Sequence, residues 1–367
     1  MYDMDKLFCF LLAGGEGSRL KSLTKDTCKP LIKLGSHYHL IDFTILNCLY
    51  SNIFNISVIV QYESIDLIKY FFESNITSLG NFYILPPVTK FDNKENIIFQ
   101  NTAHSVYLNK QIVKDDFEDI LILSADHIYS MDYSEFYEDY KKSNADLSVA
   151  YLEVPMEEAS RFGIFNLDEN GNIESFEEKP EHPKSNFASM GIYLFKRELL
   201  FNVLDNLIDK VGNDLDFGSD VIPYYLEKYD VNVYKFEGFW RDLGTIDAFW
   251  QINMALLDEP KLILDFLNFD DRFKISQDTS NSVPAFFNSN SKISSSIIGK
   301  KSYIDGNIIH SVIGNNVRIG HDVNIIDSVL MDDCVIKKGV TIKNAVISQN
   351  SIIEEDVVGD IDNILII

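Results

Sequence analysis

Five cations crowd one short stretch of a strongly acidic chain. Arg19, Lys21, Lys25, Lys29 and Lys33 follow a glycine-rich turn at Gly14, Gly15 and Gly17, in a sequence of 367 residues with net charge −24. Glycines at such a turn let the backbone approach a ligand, so that free N–H groups can face phosphate oxygens. Clustered Arg and Lys supply the positive pocket that a phosphate-rich ligand needs, although a surface turn with solvated lysines has the same composition. The pattern is not a dinucleotide fingerprint, because Arg19 and Leu20 stand where its last glycine would fall. Nor is it a P-loop, since the Gly-Lys-Ser/Thr ending is missing.

Two carboxylates and one further lysine stand at comparable places downstream. The apolar run in LILSADHIYSMDY leads to Asp126. An acid at the carboxyl end of a strand points where α/β sheets hold ligands and is a natural Mg²⁺ ligand; a helix cap is the plain alternative. Asp132 precedes a helix-like run and reads as such a cap. In FEEKP, Lys179 is a flexible point charge suited to a phosphate and Glu178 an acceptor for sugar hydroxyls, unless both are a solvated charge run. Asp242 in GFWRDLGT is either a turn residue or a second carboxylate completing a metal site with Asp126.

Positioning these groups requires strands that end beside one another. Residues 7–12, 56–60, 119–123 and 147–152 are short apolar runs. They alternate with helix-like stretches near 41–52, 64–73, 103–114 and 133–143. That alternation predicts an α/β fold with a mostly parallel sheet, its first strand buried on both faces. Asn170-Gly171 between two strand-like runs predicts an antiparallel hairpin inserted on it. The pattern changes near residue 255, giving a first unit over 1–255 and a linker over 256–296 that is rich in Ser, Asn and Asp from residue 268. From 297 to 367 a new period sets in. Ile298, Ile304, Ile309, Ile313, Ile319, Ile325, Leu330, Ile336, Ile342, Ile347 and Ile353 recur mostly six apart, the hexapeptide signature of a parallel β-helix.

Bulk properties narrow the function classes. A charge of −24 argues against nucleic acid and anionic membrane surfaces, both of which need a basic face. No apolar run approaches the ~18 residues of a membrane helix, and the acidic residues before the first strand do not fit a secretory signal. Cys9, Cys28, Cys48 and Cys334 form no CxxC pair, which suits reduced core residues of a cytoplasmic protein. The seven histidines show no metal-ligand spacing.

Taken in order, GGEGSRL, KPL, the aspartate of SADHIY, FEEKP, ASMGIY, DFGSD and FWRDLGT resemble the sugar nucleotidylyltransferases over essentially the whole chain. YHLIDFTILNC, EEASRFGIFN, SNFASMGIYLF and the repeat tail resemble the ADP-glucose branch of that family. The resemblance implies a Rossmann-like nucleotidyltransferase sheet packed on a left-handed parallel β-helix. It implies Mg²⁺-dependent transfer of an adenylyl group from ATP to glucose 1-phosphate for glycogen synthesis, and a homotetramer or a heterotetramer with a related subunit. Ala13, Gly14, Gly15, Gly17 and Arg19 would hold the ATP phosphates and Gln61 would read the adenine edge. Lys29 would sit near the nucleotide, and Arg19, Lys29, Asp126 and Lys179 would carry catalysis. Asp126 and Asp242 would bind the metal. Glu178, Lys179, Ser189 and Gly191 would hold glucose 1-phosphate. Sister enzymes using another base or sugar share much of this pattern, and a non-catalytic regulatory subunit is the reading from another class.

Three positions depart from the family pattern. His39 replaces an arginine and removes a permanent charge, Asn101 replaces a glycine near the nucleotide, and Ala125 replaces the glycine before the metal-binding aspartate.

Overall fold

The computed structural model describes residues 2–15, 17–25, 27–61, 64–86, 101–169, 171–259 and 283–367. The chain begins with β1 (Leu7–Ala13), the short strands β2 (Lys33–Leu34) and β3 (Tyr38–His39), α1 (Leu40–Tyr50), β4 (Asn55–Val60), α2 (Ser64–Glu73) and β5 (Asn81–Leu85). It continues with α3 (Thr102–Asn109), β6 (Asp119–Ser124), β7 (His127–Tyr129), α4 (Tyr133–Ser143), β8 (Leu147–Glu153), β9 (Gly163–Leu167) and β10 (Ile173–Glu178). Then come β11 (Phe187–Lys196), α5 (Arg197–Val211), α6 (Ile222–Lys228), β12 (Val231–Lys235), β13 (Trp240–Asp242) and α7 (Ile246–Asp258).

Successive residues of β1 face two different cores. Leu7, Cys9 and Leu11 pack with Ile41, Ile45 and Cys48 of α1, Leu67 and Phe71 of α2, and Phe136 of α4. Phe8 and Phe10 pack with Val106 of α3, Leu200 and Leu204 of α5, and Ile222 of α6. A strand with apolar residues on both faces belongs in the middle of a sheet covered by helices on both sides. That is where β1 lies, parallel to β4 on one side and β6 on the other, with β5 parallel to β4 beyond. The antiparallel part is built on β11, which pairs with β6, β8 and β9. β9 and β10 form the expected antiparallel pair. The turn residue Asn170 of that hairpin lies outside the described residues, while Gly171 takes φ 83°.

Two local features aim the strand ends. The register of β11 shifts between Ser189 and Ile192, and Gly191 there has φ 70°, a conformation glycine adopts without strain. On the other side, the buried Asn47 of α1 clamps the end of β7: its Nδ2 donates to Tyr129 O at 2.9 Å, and its Oδ1 accepts from Met131 N at 3.3 Å. Asp132 caps α4 as expected, accepting from Ser134 N at 2.9 Å. All four cysteines are buried and form no disulfide.

The C-terminal part is a parallel β-helix with three five-stranded sheets. Equivalent residues of neighbouring coils lie 17 apart in the middle of the coil, as where Asn307 Nδ2 donates to Asn324 Oδ1 at 2.9 Å, and 15 apart at some earlier and later steps, as at Ile304 and Ile319. Ile304, Ile319 and Ile336 line one inner face, Ile308, Ile325 and Ile342 the second, and Ile313, Leu330 and Ile347 the third. The coil starts earlier than the repeat in the sequence indicates. Phe286–Phe287 and Lys292–Ser294 already pair with it, inside the stretch assigned to a linker, and α7 occupies that stretch up to Asp258. An end coil has a neighbour on one side only, so its residues stay exposed and its sequence reads as polar. Residues 260–282 of that stretch lie outside the described residues.

One outer face of the coil is not solvent-facing. Val312, Val329 and Val346 are buried in a cluster with Phe249, Trp250 and Met254 of α7 and with Leu20 and Leu23. Trp250 Nε1 donates to Asp327 O at 2.7 Å. Trp250→Ala removes both the ring and this bond, and should cost about 3–5 kcal/mol. Urea denaturation followed by far-UV circular dichroism measures that loss.

Candidate active site

The carboxyl ends of β1, β4 and β6, together with β10 and β11, surround a cavity of about 390 Å³. Nine of the residues given a binding or catalytic role from the sequence line it: Ala13, Gly14, Gly15, Lys29, Gln61, Asp126, Glu178, Lys179 and Gly191. Gln61 packs over Gly14, where a Cβ would meet its Cβ at 3.2 Å. Gly17 has φ 66° and sits against Lys29, whose Cβ a side chain there would meet at 3.1 Å. Ser189 is buried behind the wall, its Oγ accepting from Gly191 N at 3.3 Å. Arg19 and Asp242 both lie close to Gly244. A Cβ on Gly244 would lie 2.6 Å from Asp242 Oδ2, and 3.1 and 3.2 Å from the guanidinium nitrogens of Arg161 and Arg19.

Asp126 and Asp242 converge because β7 and β13 pair antiparallel, setting Asp242 opposite His127. Ligand atoms of Asp126, His127 and Asp242 lie within 4.8 Å of one another. Lys29 reaches into the same place from the first loop. Its Nζ donates to Asp126 Oδ2 at 2.8 Å and lies 3.5 Å from Asp242 Oδ1. Arg161 Nη2 donates to Asp242 Oδ2 at 2.9 Å, Ser124 Oγ donates to Asp126 Oδ1, and His127 Nε2 lies 3.3 Å from Asp126 Oδ1.

Glu178 and Lys179 have their own seat. Glycines at 163 and 218 make room for the Glu178 carboxylate: a Cβ at Gly163 would lie 2.8 Å from Glu178 Oε2, and one at Gly218 2.7 Å from its Cδ. Lys179 Nζ lies 2.8 Å from Glu178 Oε1. Burial works against the Lys179 ammonium, but the Glu178 hydrogen bond and charge, with Asp216, outweigh it and raise its pKa.

Four participants carried no assignment from the sequence. His127 stands beside an assigned residue. Arg161 lies within the EEASRFGIFN stretch, but its partner Asp242 is 81 positions away and pairs with it only in the fold. Asp216 turns the loop at the cavity wall, its Oδ1 accepting from Gly218 N at 2.9 Å and Ser219 N at 3.2 Å. Thr102 Oγ1 donates to the other Asp216 oxygen at 2.6 Å. An aspartate two residues before a glycine is a recognisable turn signal, and DFGSD contains it.

The departures fall in different places. Asn101 and Ala125 line the cavity, and the Asn101 amide is tied to Asp214 O at 2.7 Å. His39 lies off the cavity at the start of α1. Its backbone N donates to Asp42 Oδ2 at 2.8 Å and its ring packs against Tyr70 at 4.8 Å.

Burial alone would raise the Asp126 carboxyl, but the charges of Lys29 and His127, with hydrogen bonds from Lys29 and Ser124, hold it well below the usual carboxylate range. A carboxylate depressed in this way stabilises the fold above about pH 4, and that contribution is lost as acid protonates it. Asp126→Asn should therefore be less stable than the parent at pH 7. The gap should narrow below about pH 4, as urea midpoints measured from pH 7 to pH 3 would register.

A family model described as Nucleotidyl transferase matches residues 9–259, and one described as GlmU-like, C-terminal hexapeptide matches residues 282–363. The second match accords with the left-handed coil expected from the sequence. The chain is 39% identical over 325 residues to the glucose-1-phosphate adenylyltransferase of Mycoplasma mobile, covering 86% of this chain and 83% of that one. It is 39% identical over 323 residues to the enzyme of the same name from Lachnospira eligens, covering 86% and 74%. To the Bacillus subtilis enzyme of that name it is 38% identical over 316 residues, covering 84% and 82%. With a glycine turn, a lysine between two carboxylates and a Glu-Lys pair meeting at one cavity, and with matches of this extent, the chain belongs to the nucleotidyl transferase family, among its glucose-1-phosphate adenylyltransferases.

Proposed function

We propose that this chain transfers the adenylyl group of ATP to α-D-glucose 1-phosphate, releasing diphosphate and forming ADP-glucose for glycogen synthesis. The observation that carries the reading is the meeting of Lys29, Asp126, Asp242, Glu178 and Lys179 around one cavity. A phosphate oxygen of glucose 1-phosphate attacks the α-phosphorus of ATP, and diphosphate departs in line. The nucleophile is already ionised, so no general base is required, and the task is to hold two anions together.

Each assigned residue takes a part in that task. Backbone N–H groups at Gly14, Gly15 and Gly17 receive the triphosphate, together with Ala13 and Arg19. Gln61, seated over Gly14, reads the adenine edge. Glu178 accepts from the glucose hydroxyls, while Lys179, Ser189 and the bulged backbone at Gly191 hold its phosphate. Lys29 neutralises charge between the two anions. Asp126 and Asp242 would hold Mg²⁺, and their carboxylate oxygens, close together at the cavity, are the hard donors that ion prefers. Bound there, Mg²⁺ supplies charge neutralisation for the phosphates and the leaving group.

A cytoplasmic location fits four buried cysteines that form no disulfide. Among the described residues no helix is long and apolar enough to cross a membrane. A homotetramer, or a heterotetramer with a related subunit, fits the exposed Phe286, Tyr303 and Ile352 on one outer face of the coil. Size-exclusion chromatography with light scattering tests it.

The purified chain should release diphosphate from ATP with glucose 1-phosphate and Mg²⁺, and far more slowly from the other nucleoside triphosphates. Asp126→Asn should lower kcat by about 10²–10⁴. Gly218→Ala, which displaces the Glu178 carboxylate, should act on the KM for glucose 1-phosphate rather than on that for ATP. Release with another triphosphate would move the chain to a sister specificity, and no release with any would point to a regulatory subunit.

A further inference from the structure

The two carboxylates assigned to the metal are already neutralised from within the protein. Lys29 Nζ is 2.8 Å from Asp126 and 3.5 Å from Asp242, and Arg161 is 2.9 Å from the other oxygen of Asp242. Two negative charges meet two positive ones. The Lys29 side chain is 6% exposed, so water screens its charge little. A free divalent cation approaching the carboxylates therefore meets an occupied, electrically balanced site rather than a bare acidic pair.

Both cations are also phosphate-binding groups. Arg161 is the more solvent-exposed member of its pair, at 29% against 10% for Asp242. Its guanidinium stands beside that of Arg19, both close to the space where a Cβ on Gly244 would lie. A triphosphate received by the glycine turn and Arg19 would come within reach of Arg161 and Lys29. A planar guanidinium binds two phosphate oxygens at once, and its charge is permanent.

The geometry points to an ion exchange: Lys29 and Arg161 occupy Asp126 and Asp242 at rest, and pass to the nucleotide phosphates as a divalent cation takes the carboxylates. This inference rests on the reading of Asp126 and Asp242 as the metal pair. It gives Arg161 a role in the reaction, holding Asp242 in one state and phosphate in the other. It also makes cation and triphosphate bind as a unit, because neither finds its partner free until the other arrives. The charge balance holds throughout, since the divalent cation replaces two single charges on the carboxylates and those two charges move to the phosphates.

The test measures Mn²⁺ binding to the purified full chain by equilibrium dialysis without nucleotide, alongside steady-state turnover of ATP. Arg161→Gln should bind free Mn²⁺ about tenfold or more tightly than the parent, because one competing charge has gone. Its kcat/KM for ATP should fall by about tenfold or more, since a phosphate contact has gone with it. Arg161→Lys should restore most of both. A merely structural arginine would weaken both readouts together, whereas the exchange drives them in opposite directions. Should Arg161→Gln fail to fold, Lys29→Met gives the same opposed signs. Mn²⁺ binding that is unchanged or weaker in the folded variant would overturn the exchange. Parent-like Mn²⁺ binding and turnover in Asp126→Asn would remove the metal pair itself, a different failure from the first.

Discussion

The ammonium of Lys29, lodged between Asp126 and Asp242, is the contact on which the rest of the site depends. Lys29 and Asp126 are 97 residues apart, and they meet at 2.8 Å. A buried charge without a partner is costly, so each of these groups requires the others to be in place. Three separate pieces of structure must therefore end at one point. The first loop delivers Lys29, the end of β6 delivers Asp126, and β13 delivers Asp242 by pairing with β7. The polar clamps around β7, above all the buried Asn47, keep that meeting point from drifting.

The β-helix bears on the same point through α7. Asp242 is followed by Gly244, where a side chain would displace the Asp242 carboxylate, and by Thr245, whose Oγ1 accepts from Ala248 N at 3.2 Å to begin the helix. The helix then lays Phe249 and Trp250 against Val312, Val329 and Val346 of the coil. Asp242 thus stands one short turn from the surface that joins the two parts of the molecule. The coil buttresses the second carboxylate, although it contributes no group to the cavity wall. Changes in how the coil is seated have a short mechanical route to Asp242.

Glycine has two distinct uses here. At Gly163 and Gly218 the absence of a side chain forms the seat of the Glu178 carboxylate, and any substituent would displace it. At Gly191 the requirement is conformational: a φ of 70° lets β11 change register beside the cavity. The neighbouring Lys179 takes φ 47° without being glycine, a strained conformation that turns its side chain back onto Glu178.

Much of this was legible in the residues alone. Apolar runs short enough for strands, alternating with helix-like stretches, point to a two-sided α/β sheet, in which both faces of β1 are buried. Isoleucines mostly six apart determine a β-helix, since each flat side must bury one aliphatic residue. The glycine turn and the carboxylates at strand ends, picked out separately in the sequence, do come together at one cavity. Tertiary structure alone decided which charges meet. Arg161 against Asp242, the Glu178 seat made by Gly163 and Gly218, and the start of the coil at Phe286 all arise from contacts between distant segments. Local sequence sets a residue's periodicity and propensity, but the partner of a charge is set by packing across the whole fold, and no spacing rule records that.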